Sequence, residues 1–359
     1  MIKSYNTIGL MSGTSLDGLD LVYTQIFKDK KQWNYKILKT KSVAYTKTFE
    51  NSLKNAINLD AEALLMLHNS YGSWLGKQVH TFTNEENLTP DLVASHGHTV
   101  FHQPEKGFTL QIGSGQHIAN TCGIKVVCDF RSNDVSLGGH GAPFVPIGDK
   151  YFFSEYDFCL NLGGISNFSF EHNQQRKAYD IAPANMLLNY LANKINKNYD
   201  HNGALARQGK LNKSLLQKLN NLDYYKKPFP KSMGFEWFTE KVIPIIEATN
   251  DSISNLLYTS VEHIVQQIAA NIKNISSNSG NKLLVTGGGA KNSFLIQQLQ
   301  EKLQQHTQVI LPDTVLIDFK EALIFALMGA LRIENQINVL ASVTGATKDS
   351  SSGVVYVPA

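Results

Sequence analysis

Apolar and polar positions along this chain fall into two kinds of run, and their order repeats. Residues 7–10 form a short apolar run, followed by the small, polar turn Ser12-Gly13-Thr14-Ser15-Leu16-Asp17-Gly18. Residues 19–27 then alternate, which predicts a β-hairpin around a glycine-containing turn. Residues 35–44 predict a third strand. Apolar residues at helical spacing (Leu64, Leu67, Tyr71, Trp74, Leu75, Val79) predict a helix over 60–83. Strands are predicted at 92–95 and 123–128. The same opening then returns. A strand at 157–162, the turn Gly163-Gly164 and a strand at 166–170 make a second hairpin, with a further strand at 178–181. Helices are predicted at 184–193 and 253–275. A buried-type strand at 282–285 runs into Thr286-Gly287-Gly288-Gly289, and helices follow at 293–303 and 321–333. Between the halves of this repeat there is no low-complexity linker. Residues 196–232, polar and rich in Lys and Asn, read as a mobile insertion.

Length and charge narrow the function classes. A chain of 359 residues predicts two or three domains. A formal net charge of +3 with scattered lysines argues against nucleic acid or an anionic membrane and for a small-molecule partner. Cys122, Cys128 and Cys159 have neither disulfide-framework nor zinc spacing, which fits a reducing cytoplasm. The N-terminus has no long apolar segment after Lys3, and the most apolar stretch, 322–331, is too short to span a bilayer.

Three glycine turns are candidates for phosphate contact. In Gly13-Thr14-Ser15-Leu16-Asp17-Gly18-Leu19-Asp20, small residues let backbone N–H groups approach an anion, hydroxyls add donors, and Asp17 and Asp20 could hold Mg2+ directly or through water. No Gly-Lys-Ser/Thr follows, so this is not a Walker loop. Gly163 and Gly164 repeat the pattern in the second half. Gly287, Gly288 and Gly289 lie between a strand and a helix, where a nucleotide could approach the helix N-terminus. Ordinary hairpin and strand–helix turns share these compositions. Asp180, before Pro183, is placed either as a general base or as a turn residue. His96, His98 and His102 allow a metal site or polar cleft residues, with no carboxylate or Cys at a usual ligand spacing. The stretch from Cys128 through Arg131 to Pro143 gathers Arg, Asp, His and glycines as a binding loop does.

The segments GLMSGTSLDGLDLV, SHGHT, DFRSNDVSLGGHGAPFVP, NLGGISNFS, TGGGAKN and EALIFALMGALR, in this order, resemble the anhydro-N-acetylmuramic acid kinase family from Ile8 to Ala346. The resemblance implies an α/β fold of the two-domain actin/hexokinase-like (ribonuclease H-like) class around a central cleft. It places an N-terminal domain at 1–128 plus 342–359 and a C-terminal domain at 129–341. It implies conversion of 1,6-anhydro-N-acetylmuramic acid, ATP and water to N-acetylmuramic acid 6-phosphate and ADP, in cytoplasmic peptidoglycan recycling and amino sugar catabolism, by a homodimer using ATP and Mg2+. Carried over residue by residue, the turn Gly13 to Asp20 matches the ATP-binding turn, with Leu16 and Leu19 inside it. Gly163 and Gly164 belong with it, and Gly287, Gly288 and Gly289 match the adenosine-side loop. Asp180 matches the carboxylate that activates water, and Glu321, opening its helix, an acid near the sugar. His96, Arg131 and Asn185 fall on the sugar side. Two departures bear on substrate: Ile181-Ala182-Pro183-Ala184-Asn185 in place of Thr-Gly-Pro-Gly-Asn after the Asp, and His98 in place of Gln in SHGQT. The other readings are a different actin-fold sugar kinase, a non-catalytic ATP- or sugar-binding protein, and a metallohydrolase built on His96 and His98.

Overall fold

The structure, a computed structural model, describes residues 3–13, 16, 18–30, 32–276 and 278–359. It divides into two compact units, residues 1–153 with 319–359, and residues 154–318.

In the first unit, β1 (Ser4–Met11) pairs antiparallel with β2 (Leu19–Asp29), and β2 with β3 (Gln32–Val43). β4 (Leu92–Ser95) lies parallel to β1, and β7 (Val126–Cys128) parallel to β4. β13 (Val354–Tyr356) closes that side antiparallel to β7, giving the order β13-β7-β4-β1-β2-β3. β5 (His98–Gln103) and β6 (Phe108–Ile112) form a separate hairpin. β4 and the middle of β1 are buried throughout, as strands covered on both faces must be. β3, at the edge, carries Lys36, Lys39 and Lys41, which discourage pairing with another chain.

The second unit repeats the scheme. β8 (Phe158–Leu162), β9 (Ile165–His172) and β10 (Gln175–Pro183) form an antiparallel meander. β11 (Asn281–Thr286) lies parallel to β8, and β12 (Thr307–Ile310) parallel to β11, in the order β10-β9-β8-β11-β12. Apart from β13, which adds a second reversed strand at the edge of the first sheet, both sheets run 3-2-1-4-5 when numbered within each unit, with only the second strand reversed. This duplicated hairpin-first order is the expected actin/hexokinase-like arrangement. The helix Ile253–Ile275, capped by the Ser252 hydroxyl accepting from Asn255 N at 3.2 Å, buries Leu257, Val261, Ile264, Val265, Ile268 and Ile272 in the core of this unit.

The division of the chain falls elsewhere than the expected boundaries at 128/129 and 341/342. Residues 129–153 and 319–341 stay with the first unit because they pack there. Asp149 and Lys320, both buried, pair at 2.8 Å and tie the helix Val145–Phe152 to the helix Thr314–Ile333. A Cβ on Gly9 of β1 would lie 1.9 Å from the Ala322 carbonyl oxygen, so that helix packs directly on the strand backbone. The same helix begins at Thr314 rather than Glu321. The Asp313 carboxylate accepts from Leu316 N at 2.8 Å and caps it about two turns earlier, which puts Glu321 inside the helix. Residues 196–232, expected as a mobile insertion, carry a helix, Lys213–Asn220, and place Leu215, Leu219 and Tyr224 in the core of the second unit. Among the described residues no helix is long and apolar enough to cross a membrane.

Candidate functional site

In the second unit the three glycines after β11 divide their work. Gly287 has φ +83°, and a Cβ there would lie 2.4 Å from Asn161 Oδ1, so backbone conformation and space both demand glycine. A Cβ on Gly289 would meet Leu162 Cβ at 2.7 Å. On Gly288 it would find nothing nearer than Asn185 Nδ2 at 3.8 Å, because Gly288 lines a cavity of about 320 Å3. Asn185, Asn189, Tyr199, His201 and Asn292 line it as well. That volume lies in the range of small-molecule sites. Asn185, expected on the sugar side, is thus beside Gly288, its amide donating to the Leu162 carbonyl at 3.0 Å. Gly163 and Gly164 act through their carbonyls. Gly164 O accepts from Ala184 N and Met186 N at 2.8 and 3.0 Å, and Gly163 O from Asn185 N at 3.1 Å, joining the β8–β9 turn to the start of the helix Asn185–Asn193. Tyr199 and His201 are cavity residues that the sequence reading did not single out; they lie in a polar loop with no motif to mark them.

Asp180 sits within β10 at a bulge, where the register against β9 shifts between Asp180 and Ala182, and not at the strand's end. Its Oδ2 accepts from Met233 N at 3.0 Å, its backbone N–H donates to Lys231 O at 3.2 Å, and its carbonyl accepts from Tyr224 Oη at 2.8 Å. Burial raises its pKa above the ordinary carboxylate value, and the Met233 N–H opposes that shift. A carboxylate so placed holds a proton more readily than one in water, as a general base must. Tyr224, Lys231 and Met233 were not read from the sequence as site residues; their link to Asp180 is made largely by backbone atoms, which leave no side-chain signature.

In the first unit, β4 ends at Ser95 and delivers His96 next to β1, where His96 N donates to Leu10 O at 3.1 Å. His96 Nδ1 lies 2.8 Å from Gly97 O, and Arg131 donates to His96 Nε2 from Nε and Nη2 at 3.1 and 2.8 Å. Both ring nitrogens are therefore occupied, and the imidazole is neutral with its proton on Nδ1. Burial first, and the Arg131 charge second, lower its pKa to about 3. The metallohydrolase reading fails on this point, because the nitrogen His96 would offer a metal is taken by a guanidinium. Arg131 Nη1 also donates to Gly141 O at 2.6 Å. That loop is held by buried Asp134, which accepts from Gly141 N at 2.7 Å and from Thr344 Oγ1 at 2.7 Å. Glu321 keeps an exposed side chain, and desolvation of its carboxyl by the protein packed around it raises its pKa; Arg131 and Lys320 pull it down and Asp20 pushes it up. His96, Arg131, Glu321 and Asp20 thus form one electrostatic cluster.

Of the expected ATP turn, Thr14, Ser15 and Asp17 lie outside the described residues. Gly13 accepts from Leu16 N at 3.4 Å, and Leu16 has φ +60°. Leu19 is buried at the start of β2. Gly18, at φ +152°, packs against Val43, with 2.5 Å from a built Cβ to the Val43 carbonyl oxygen. Asp20 Oδ1 accepts from Ser42 Oγ at 2.5 Å.

The family model described as anhydro-N-acetylmuramic acid kinase matches residues 5–358. Proteins of that name from Nitrosomonas europaea and Aliivibrio fischeri are 32% and 35% identical over 97% of this chain, covering 99% and 98% of their own lengths. One from Haemophilus influenzae is 33% identical over 99% of this chain and 98% of its own. Among solved structures, a ROK-family glucokinase from Streptomyces griseus in complex with glucose and AMPPNP gives a TM-score of 0.38 at 12% identity, over 90% of this chain and 99% of that one. At that likeness it is the strand order, and not the superposition, that identifies the fold. With the family's motifs matched from one end of the chain to the other, this protein belongs to the anhydro-N-acetylmuramic acid kinase family.

Proposed function

We propose that this chain uses ATP to phosphorylate O6 of 1,6-anhydro-N-acetylmuramic acid while water opens the anhydro bridge. Family membership supports the reaction class, and the observation that carries the assignment of roles is the environment of Asp180. Asp180 Oδ2 is engaged by the Met233 N–H, which leaves the other oxygen as the proton acceptor for water. Water oxygen bonds to C1, the C1–O6 bond breaks, and O6 attacks the γ-phosphorus as the bond to ADP breaks. The proton taken by Asp180 is released afterwards, so one water, one ATP and one anhydro sugar give the 6-phosphate and ADP. The cavity beside Gly288 takes the adenosine, and the Gly13 to Asp20 turn takes the phosphates. The Arg131–His96 pair and Glu321 face the sugar.

Mg2+ would be held with the ATP phosphates by Asp20, directly or through water. The fit rests on the donor set, since Asp20 and Glu321 are hard oxygen donors whose mutual repulsion a divalent cation relieves. When bound, Mg2+ spreads charge on the transferring group. The homodimer and the cytoplasmic setting belong to the same proposal, carried by the family alone.

The test is turnover of ATP with a panel of sugars in 18O-labelled water. The expected product carries label on C1 and none on phosphate. Label on phosphate means plain ATP hydrolysis. A phosphorylated product with its bridge intact means a different sugar kinase. Nucleotide binding with no turnover on any sugar means a binding protein.

A further inference from the structure

Asp180 is held by a segment distant in sequence. Residues 224–233 contribute a phenol to its carbonyl (Tyr224), a carbonyl to its N–H (Lys231) and an N–H to its carboxylate (Met233). Three bonds from one ten-residue segment reach three different groups of one residue, at a bulge where the strand no longer pairs regularly. The segment is itself anchored. Tyr224 is buried, and the Lys231 ammonium lies 4.8 Å from the Tyr224 ring centre and 5.8 Å from that of Tyr179, donating to Tyr224 O at 3.3 Å. Phe229 stacks on Tyr179 with ring centres 5.4 Å apart and planes within 3°.

We infer that this strap is a positioning device for the base, with Tyr224 setting where the Asp180 backbone sits and the Met233 N–H setting which carboxylate oxygen is free. The inference rests on Asp180 acting as the base. An N–H donated to a carboxylate stabilises its charged form, so removing it favours protonation. The titratable neighbours are Tyr179 on the same strand and Tyr224 and Lys231 on the strap; Asn167, opposite Asp180 on β9, is neutral. Burial raises the pKa of both phenols well above the usual phenolic value, so they stay neutral while Asp180 titrates.

The experiment compares Met233→Pro, which deletes the N–H, with Met233→Ala, which keeps it, and adds Tyr224→Phe and Asp180→Asn. Two readouts are taken on the full chain: the pH dependence of kcat, and the carboxyl 13C titration of Asp180 in the free protein. Met233→Pro is expected to move both the acid limb and the titration up by about one pH unit, the size of one charge-assisted hydrogen bond. Met233→Ala should leave both in place. Tyr224→Phe should lower kcat roughly tenfold at unchanged KM for ATP, as loss of orientation at a reacting group does. If Met233→Pro does not fold, Tyr224→Phe decides alone, and its retaining full kcat overturns the inference. A folded Met233→Pro that titrates as the parent does, or a Met233→Ala that shifts equally, also overturns it. In those cases an inactive Asp180→Asn leaves the base assignment standing. A fully active Asp180→Asn removes the base and the strap's role together.

Discussion

Burial around Asp180 raises the pH at which its carboxylate takes up a proton. Activity that needs the ionised form is therefore expected to fall on acidification through that raised value, at higher pH than for a carboxylate in water; a pH–rate profile with ATP saturating checks this. Asp180→Asn is expected to lose about 10^2–10^4 in turnover, the usual worth of a general base, with ATP affinity by calorimetry retained. Buried histidines set a second pH dependence, this one of stability. His96 and His263 titrate near 3 in the folded chain, against a reference value of 6.5. Folding thus depresses both, their contribution is complete above pH 6.5, and it is lost as pH falls from there toward 3. At pH 5 the loss amounts to roughly 2 kcal/mol per histidine, as an upper bound. Denaturant unfolding at pH 7 and pH 5 measures it, and an unchanged midpoint contradicts the neutral assignment. Asp180 and Arg131 could be picked out from the sequence by their motifs. The partners of Asp180 could not, because two of its three bonds from the strap run to backbone atoms.

At the scale of the element, two adjacent glycines should fail in different ways. Gly287→Ala puts a Cβ at positive φ and against Asn161, and is expected to destabilise the fold by about 1–3 kcal/mol. Gly288→Val projects into the cavity, so the melting temperature should hold while ATP binding is lost. Thermal melts and calorimetry on the two variants separate these outcomes, and ATP affinity unchanged in Gly288→Val would take the cavity out of the nucleotide site. Hairpins and long helices could be read ahead because glycine turns and apolar periodicity are local signals. The helix Ile253–Ile275 has the bounds its periodicity indicates. β5, β6, β12 and β13 escaped, being short and only partly buried. The early start of the helix Thr314–Ile333 depends on one cap, Asp313, ahead of the apolar run.

Across the whole molecule, each unit has its own sheet and its own apolar cluster. The cavity proposed for the nucleotide is lined entirely from the second. Calorimetry is therefore expected to resolve two unfolding transitions. ATP alone should raise one of them, by about 2.7 kcal/mol of added stability at a hundredfold excess over Kd. One transition shifting as a whole would mean that the units unfold together.

By itself the sequence determined the duplicated strand–turn–strand opening, the long helices and the family, and through the family it nominated Asp180 as the candidate base. Each of these is written in residues close together in the chain or in motifs that survive in most of their positions. Only the tertiary structure decided that Glu321 lies inside a helix, that His96 is spent on Arg131, and that Asn185 stands beside Gly288. It alone decided that residues 129–153 and 319–341 belong with the first unit, and that the end of the polar stretch 196–232, with Met233 just after it, holds Asp180. The reason is physical. Hydrophobic period and turn chemistry act over a few residues, whereas occupancy of a ring nitrogen or a carboxylate depends on what packing brings beside it from elsewhere in the chain.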